Sequence, residues 1–183
     1  MVGKRKGLIV SILALIVGFS GLGFGAYSLY NYQQLINQVE PSKPLARAFL
    51  NSSYEISGFA LNVVNFTVLD YDTTGDFNIT TDRFICPTSG YYLISGMITY
   101  SSMDGGEIIY LAARREGVIE AGCFAQASHV GELSTGFSDI VYLNEGDYVE
   151  LVTQQISLIL KTIYGDSAGT YTYFTIVATD ILN

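Results

Sequence analysis

Phe84-Ile85-Cys86-Pro87-Thr88-Ser89-Gly90-Tyr91-Tyr92-Leu93 is the stretch on which the fold turns. Proline has no N–H to give to a ladder, and glycine takes up turn conformations without a Cβ clash. Pro87 and Gly90 therefore punctuate the start of a strand. That strand runs over 91–100, where aromatic, branched and apolar residues dominate. Working outward, residues 59–69, 108–114, 137–143, 148–154, 157–163 and 171–179 read as further strands. Turn chemistry separates them, in Thr73-Thr74-Gly75, Asp104-Gly105-Gly106, Asn144-Glu145-Gly146-Asp147 and Gly165-Asp166-Ser167. No amphipathic helical pattern follows Val39. Many short strands without helices predict an all-β sandwich or barrel over residues 45–183.

The order of these blocks resembles the globular C1q domain, a cousin of the tumour-necrosis-factor ligands. Phe84, Pro87, Gly90 and Tyr92 match the block Phe-x-x-Pro-x-x-Gly-x-Tyr that opens a central strand in that family. Asn65-Phe66, Tyr71-Asp72 and Asp76-Phe77-Asn78 precede it, as a Phe and a Tyr-Asp loop do in the family. Val141-Tyr142-Leu143-Asn144-Glu145-Gly146-Asp147-Tyr148-Val149-Glu150-Leu151 resembles its strand, Gly-Asp turn and next strand. Ala46-Arg47-Ala48-Phe49 looks like the opening strand, and Phe174-Thr175 like the Phe-Ser of the closing one. The likeness spans residues 46 to about 180. Two features depart from it: Ile176 stands where Gly is usual, and no collagen-like stalk precedes the domain. The resemblance implies a jelly roll of about ten antiparallel strands in two sheets, associating as a tight homotrimer. Tyrosine, of which the chain has 14, suits a partly wet interface of that kind.

The N-terminal quarter has a different character. From Leu8 to Tyr30 no residue is charged. As a helix rising ~1.5 Å per residue, this run spans roughly 34 Å, about the thickness of a bilayer core. Lys4, Arg5 and Lys6 precede it without an acidic neighbour. The positive-inside rule then keeps 1–7 cytoplasmic, makes 8–30 a single-pass transmembrane helix, and puts the stalk 31–44 and the domain outside the cell. Two alternatives stay open. One is a cleaved secretory signal using Gly21, Gly23 or Gly25. The other is a prepilin-type cut at Lys6-Gly7, which would make the chain a pilin-like filament subunit with a β-rich head. Ser11, Ala14, Gly18, Gly21, Gly25 and Ser28 form a seam of small residues at alternating steps of 3 and 4, a helix-packing face in lipid. Tyr32, Leu35 and Val39 continue those steps, and Pro41 ends the helix.

Charge and residue inventory narrow the chemistry. Without its three leading bases the chain carries six basic and 17 acidic residues, a net charge of −11. Such a domain repels phosphate backbones, which argues against nucleic acid as a partner. Asn51, Asn65 and Asn78 each open an Asn-x-Ser/Thr sequon and are glycosylation candidates. Cys86 and Cys123 are the only cysteines, either a disulfide or two thiols packed in the sandwich. His129 is the single histidine, so cupin-like metal chemistry lacks its ligands. Asp70-Tyr71-Asp72-Thr73-Thr74-Gly75-Asp76 begins like a calcium loop, but flanking helices are missing and the twelfth position is Thr81, so the EF-hand reading fails. A looser calcium site, built with Asp82 or across a trimer, is the one cofactor left open. The expectation is a membrane-anchored, non-enzymatic extracellular trimer for recognition or adhesion, with an extracellular protein or glycan as its ligand.

Overall fold

The computed structural model describes residues 43–179. The apolar run 8–30, its small-residue seam and most of the stalk lie outside the described residues. Ser42–Asn183 is a compact unit by itself, and the described residues in it enclose a hydrophobic core. Among the described residues there are thirteen strands and no helix. They are β1 (Leu45–Phe49), β2 (Tyr54–Ile56), β3 (Asn62–Val63), β4 (Val68–Asp72), β5 (Phe77–Asn78), β6 (Arg83–Ile85) and β7 (Gly90–Met103). There follow β8 (Ile108–Arg115), β9 (Val118–Gln126), β10 (Gly131–Leu143), β11 (Tyr148–Ile156), β12 (Lys161–Ile163) and β13 (Tyr173–Ala178).

Two antiparallel sheets face each other. The first runs β2-β12-β7-β13-β1-β4, with β10 on the free edge of β7. The second runs β5-β6-β11-β8-β9, with β3 also on β11. The thirteen strands include the expected jelly roll; β2, β3, β5, β6 and β12 are two or three residues long and account for the surplus over ten. Inward side chains of both sheets meet in an aromatic centre. The rings of Phe66, Phe77 and Phe174 lie 6.1–6.3 Å apart by pairs, and Phe84 lies 5.8 Å from Tyr92. Each such ring contributes about 1.5–3 kcal/mol by leaving water. Gly96 on β7 is pressed so close to the opposite sheet that a Cβ would stand 2.7 Å from Leu151 Cδ1.

Three segments differ from the sequence expectation. The strand expected over 59–69 is broken, because the chain crosses there from the second sheet to the first. Val64 N–H donates to Leu151 O (2.9 Å), Phe66 N–H to the Asp82 carboxylate (2.8 Å) and Thr67 N–H to Phe49 O (3.0 Å). The strand expected over 157–163 shrinks to β12, and residues 157–160 form a projecting loop. β9 escaped the reading altogether, since Glu120-Ala121-Gly122-Cys123 has neither branched residues nor apolar alternation.

The cysteines are free. Cys86 sits in the turn between β6 and β7, where its Sγ donates to Thr88 O at 3.1 Å and burial pushes its thiol up. Cys123 lies on β9 against Thr135 Oγ1 at 3.2 Å. Gly90 also differs from expectation: it is absent from the left-handed region, and a Cβ there would meet nothing within 4 Å.

Glu150 and Lys161 are buried against partners of opposite charge. Glu150 on β11 is 1% exposed and lies in register between Arg83 on β6 and Arg114 on β8, with N···O distances of 3.0 and 2.6 Å. Arg83 also stacks on Tyr148, 4.0 Å from the ring centre. Lys161 is buried between Glu107 (2.6 Å) and Asp104 (3.2 Å). Burial works to lower the Lys161 ammonium, but the Glu107 and Asp104 hydrogen bonds carry it above its ordinary value. For Glu107 burial acts upward, and the Asp104 N–H and Lys161 bonds outweigh it and hold the carboxyl down. The pair therefore contributes stability from about pH 5 to about pH 10, lost below as Glu107 protonates and above as Lys161 deprotonates. Removing one partner of a buried pair strands the other charge. Glu150→Ala is expected to lower unfolding stability by about 3 kcal/mol, read from the urea midpoint.

Candidate subunit interface

The outward face of the first sheet is built by strict register. Leu45 on β1 stands opposite Val177 on β13, Val177 opposite Leu93 on β7, and Leu93 opposite Ile140 on β10. These four apolar side chains make one row across four neighbouring strands. Leu93 is 37% and Ile140 44% exposed, and the other two are half-buried. One step toward the end where β1 begins, the base, Tyr91 meets Tyr142 edge to face at 5.2 Å. One step the other way, Arg47, Thr175, Ser95 and Ser138 form a row of mostly short polar side chains. Tyr173, Met97 and Gly136 follow. A bulky apolar row, a short polar row and a second bulky row thus lie side by side.

Arg47 is the one charge in these rows and is neutralised in place. Its Nη1 donates to Asp70 Oδ2 at 2.7 Å and its Nη2 to Gly169 O at 2.6 Å. Its guanidinium carbon lies 5.1 Å from the Tyr173 ring centre and 5.6 Å from that of Phe49. An apolar face with its cation tied down loses little when water leaves it. Beside this face, β10 pairs only with β7 and β9 only with β8, so both present free edges on the same side of the sandwich. Phe124, Val118 and Ile119 on β9 are exposed along that side. An uncovered edge of this length is a liability that a second chain removes.

The family-motif residues lie behind this face. Phe66, Phe84, Tyr92 and Phe174 are core rings. Tyr92 Oη donates to Thr88 O at 2.8 Å, and burial raises its phenol well above the ordinary value. The two motif blocks meet at Cys86: its N–H donates to Asp147 O and its carbonyl accepts from Gly146 N–H, both at 2.8 Å. Gly146 takes φ +88°, which only glycine holds without strain. Asn144 N–H and the Arg115 guanidinium hold the Asp147 carboxyl below the usual range.

The three sequon asparagines are exposed. Asn51 Oδ1 accepts from Thr67 Oγ1 at 2.8 Å, Asn65 lies in the crossing between β3 and β4, and Asn78 is on β5. All three belong to the β4 and β5 side of the sandwich, away from β9 and β10. The 70–76 loop is organised by Asp72, whose Oδ1 accepts from Gly75 N–H and whose Oδ2 accepts from Phe77 N–H, each at 2.8 Å. Asp82 is pushed above the usual carboxylate range by burial and is spent on Phe66 N–H. Among the described residues no group of three or more His, Cys, Asp and Glu is placed to hold a metal ion.

This topology agrees with a family match on the sequence. The C1q domain family matches residues 48–175. The chain belongs to the C1q domain family. No curated protein matches it by sequence. Solved structures share the C1q domain's fold: the globular domain of zebrafish complement 1qA protein is 17% identical, with a TM-score of 0.54 over 73% of this chain and 95% of that one. Eiger TNF from S. frugiperda is 13% identical, with a TM-score of 0.57 over 79% and 96%. Murine APRIL is 12% identical, with a TM-score of 0.56 over 75% and 100%.

The individual residues of this row of the C1q domain were not foreseen, although a signal was present. Leu93-Ile94, Ile140-Val141 and Ile176-Val177 are apolar at successive positions, and successive residues of a strand face opposite sides. Strands apolar on both sides are covered on both sides. Ile140→Lys puts a charge into the apolar row without touching the core. It is expected to lower the sedimentation coefficient of the domain to that of a monomer while circular dichroism stays unchanged.

Proposed function

We propose that the chain is a membrane-anchored extracellular homotrimer, a non-enzymatic module for recognition or adhesion. The observation that carries this reading is the apolar row Leu45–Val177–Leu93–Ile140 beside the free edges of β9 and β10. A face of this kind suits a second copy of the chain, and C1q and tumour-necrosis-factor-like domains associate in threes. The acidic charge and the three exposed sequon asparagines support an extracellular setting. Glycans at Asn51, Asn65 and Asn78 would cover the β4 and β5 side and leave the proposed interface bare. The uncharged run 8–30 supports the anchor, with its N-terminus cytoplasmic. Its seam from Ser11 to Ser28 would bring the anchors together in step with the heads.

In this reading the fold supplies a rigid platform, and loops distant from the membrane bind an extracellular protein or glycan. Three linked copies raise the effective concentration of each binding loop, so weak contacts add to useful avidity. The pilin-like alternative draws no support from a C1q head. Ser42–Asn183 prepared alone is expected to run as a trimer by multi-angle light scattering. A monomer at micromolar concentration would contradict the proposal.

A further inference from the structure

The end of the sandwich farthest from the start of β1 carries a second apolar feature, with no part in the face described above. Residues 57–61 and 156–160 are two adjoining loops without a single charged side chain. Leu158 is 94% exposed, and Phe59, Ile159 and Leu160 are each more than half exposed. The loops behave as one unit: Gly58 lies so close to Ser157 that a Cβ would fall 1.8 Å from the Ser157 carbonyl oxygen. Phe59 holds φ +63°, a left-handed conformation costly for a bulky residue, and it turns the ring outward.

Two of their residues, Phe59 and Ile159, have both backbone groups bonded. Phe59 N–H donates to Gln155 O at 2.8 Å, and Phe59 O accepts from Gln154 Nε2 at 2.7 Å. Ile159 O accepts from Gln155 Nε2 at 3.0 Å, and Ile159 N–H donates to Ser157 Oγ at 3.3 Å. Polar groups that enter hydrocarbon must be satisfied internally, and these four bonds meet that need at Phe59 and Ile159. The setting is acidic. Glu55, Asp104, Glu132 and Asp166 are exposed or half-exposed at this end, against the buried Lys161. Anionic headgroups are repelled by that rim. The outward trimethylammonium of a phosphatidylcholine headgroup is attracted to it.

We infer that the paired loops are a membrane-inserting tip, which dips Leu158, Leu160 and Phe59 into a zwitterionic bilayer. Nothing in this depends on the trimer, which would present three tips at one end and strengthen the contact.

Flotation of Ser42–Asn183 with vesicles tests it. Wild type is expected to rise with pure phosphatidylcholine vesicles, and less with vesicles in which a third of the lipid is phosphatidylserine. Leu158→Asp and Leu160→Asp each place a charge where an exposed side chain stood, so folding is spared and checked by thermal melting. Each is expected to weaken partition by about tenfold or more. Wild type remaining at the bottom of the gradient with pure phosphatidylcholine would overturn the inference and return the tip to a protein partner. So would variants that float like wild type, or tighter binding to the anionic vesicles.

Discussion

β7 hydrogen-bonds along both of its edges at once, to β10 on one side and to β13 on the other, and the outward apolar row exists because of that double pairing. Leu93 is held between Ile140 and Val177 in a single row only at this register. A slip of one residue in either ladder would turn Ile140 or Val177 inward and bring Val141 or Ile176 out. The inner side chains forbid the slip. Phe174 and Ile176 fill the core from β13, Ile94 and Ile98 fill it from β7, and Gly96 lets Leu151 of the opposite sheet close the gap. Packing on the hidden side of the sheet thus dictates chemistry on the exposed side.

The two sheets divide the electrostatic work. On the second sheet the buried Glu150 is satisfied in register by Arg83 and Arg114, so the charges hold that sheet together. On the outward face of the first sheet the only charge in the registered rows, Arg47, is tied to Asp70 and Gly169 and flanked by rings. One sheet keeps its charges for internal cohesion, and the other presents a surface from which water is removed at little cost.

Fold class was readable because its signals are local. Pro87, Gly146 and the rings Phe84, Tyr92 and Phe174 stand at positions where backbone geometry or core volume leaves few choices. The crossing at 64–67 was misread as strand because its residues are buried like strand residues, and only the partners of Val64, Phe66 and Thr67 reveal the change of sheet. β9 was invisible because Gly122 and Ala121 satisfy close packing rather than propensity. A Cβ on Gly122 would lie 2.8 Å from Leu111 O. The apolar row needed long-range register, since Leu45 and Val177 are 132 positions apart in the chain yet stand opposite each other. The tip at 157–160 was read as strand for the same reason: an uncharged aliphatic run has one composition whether it lies in a sheet, in a core or at an exposed apex.

In the proposed homotrimer the row through Leu93 and Ile140 is covered by other copies of the chain. A photo-activated cross-linking side chain placed at Ile140, with Asn78 as the control position, reads this directly. Covalent dimer and trimer bands are expected from position 140 and a single monomer band from position 78. A monomer band alone from position 140, at a concentration where the protein is folded, would contradict it.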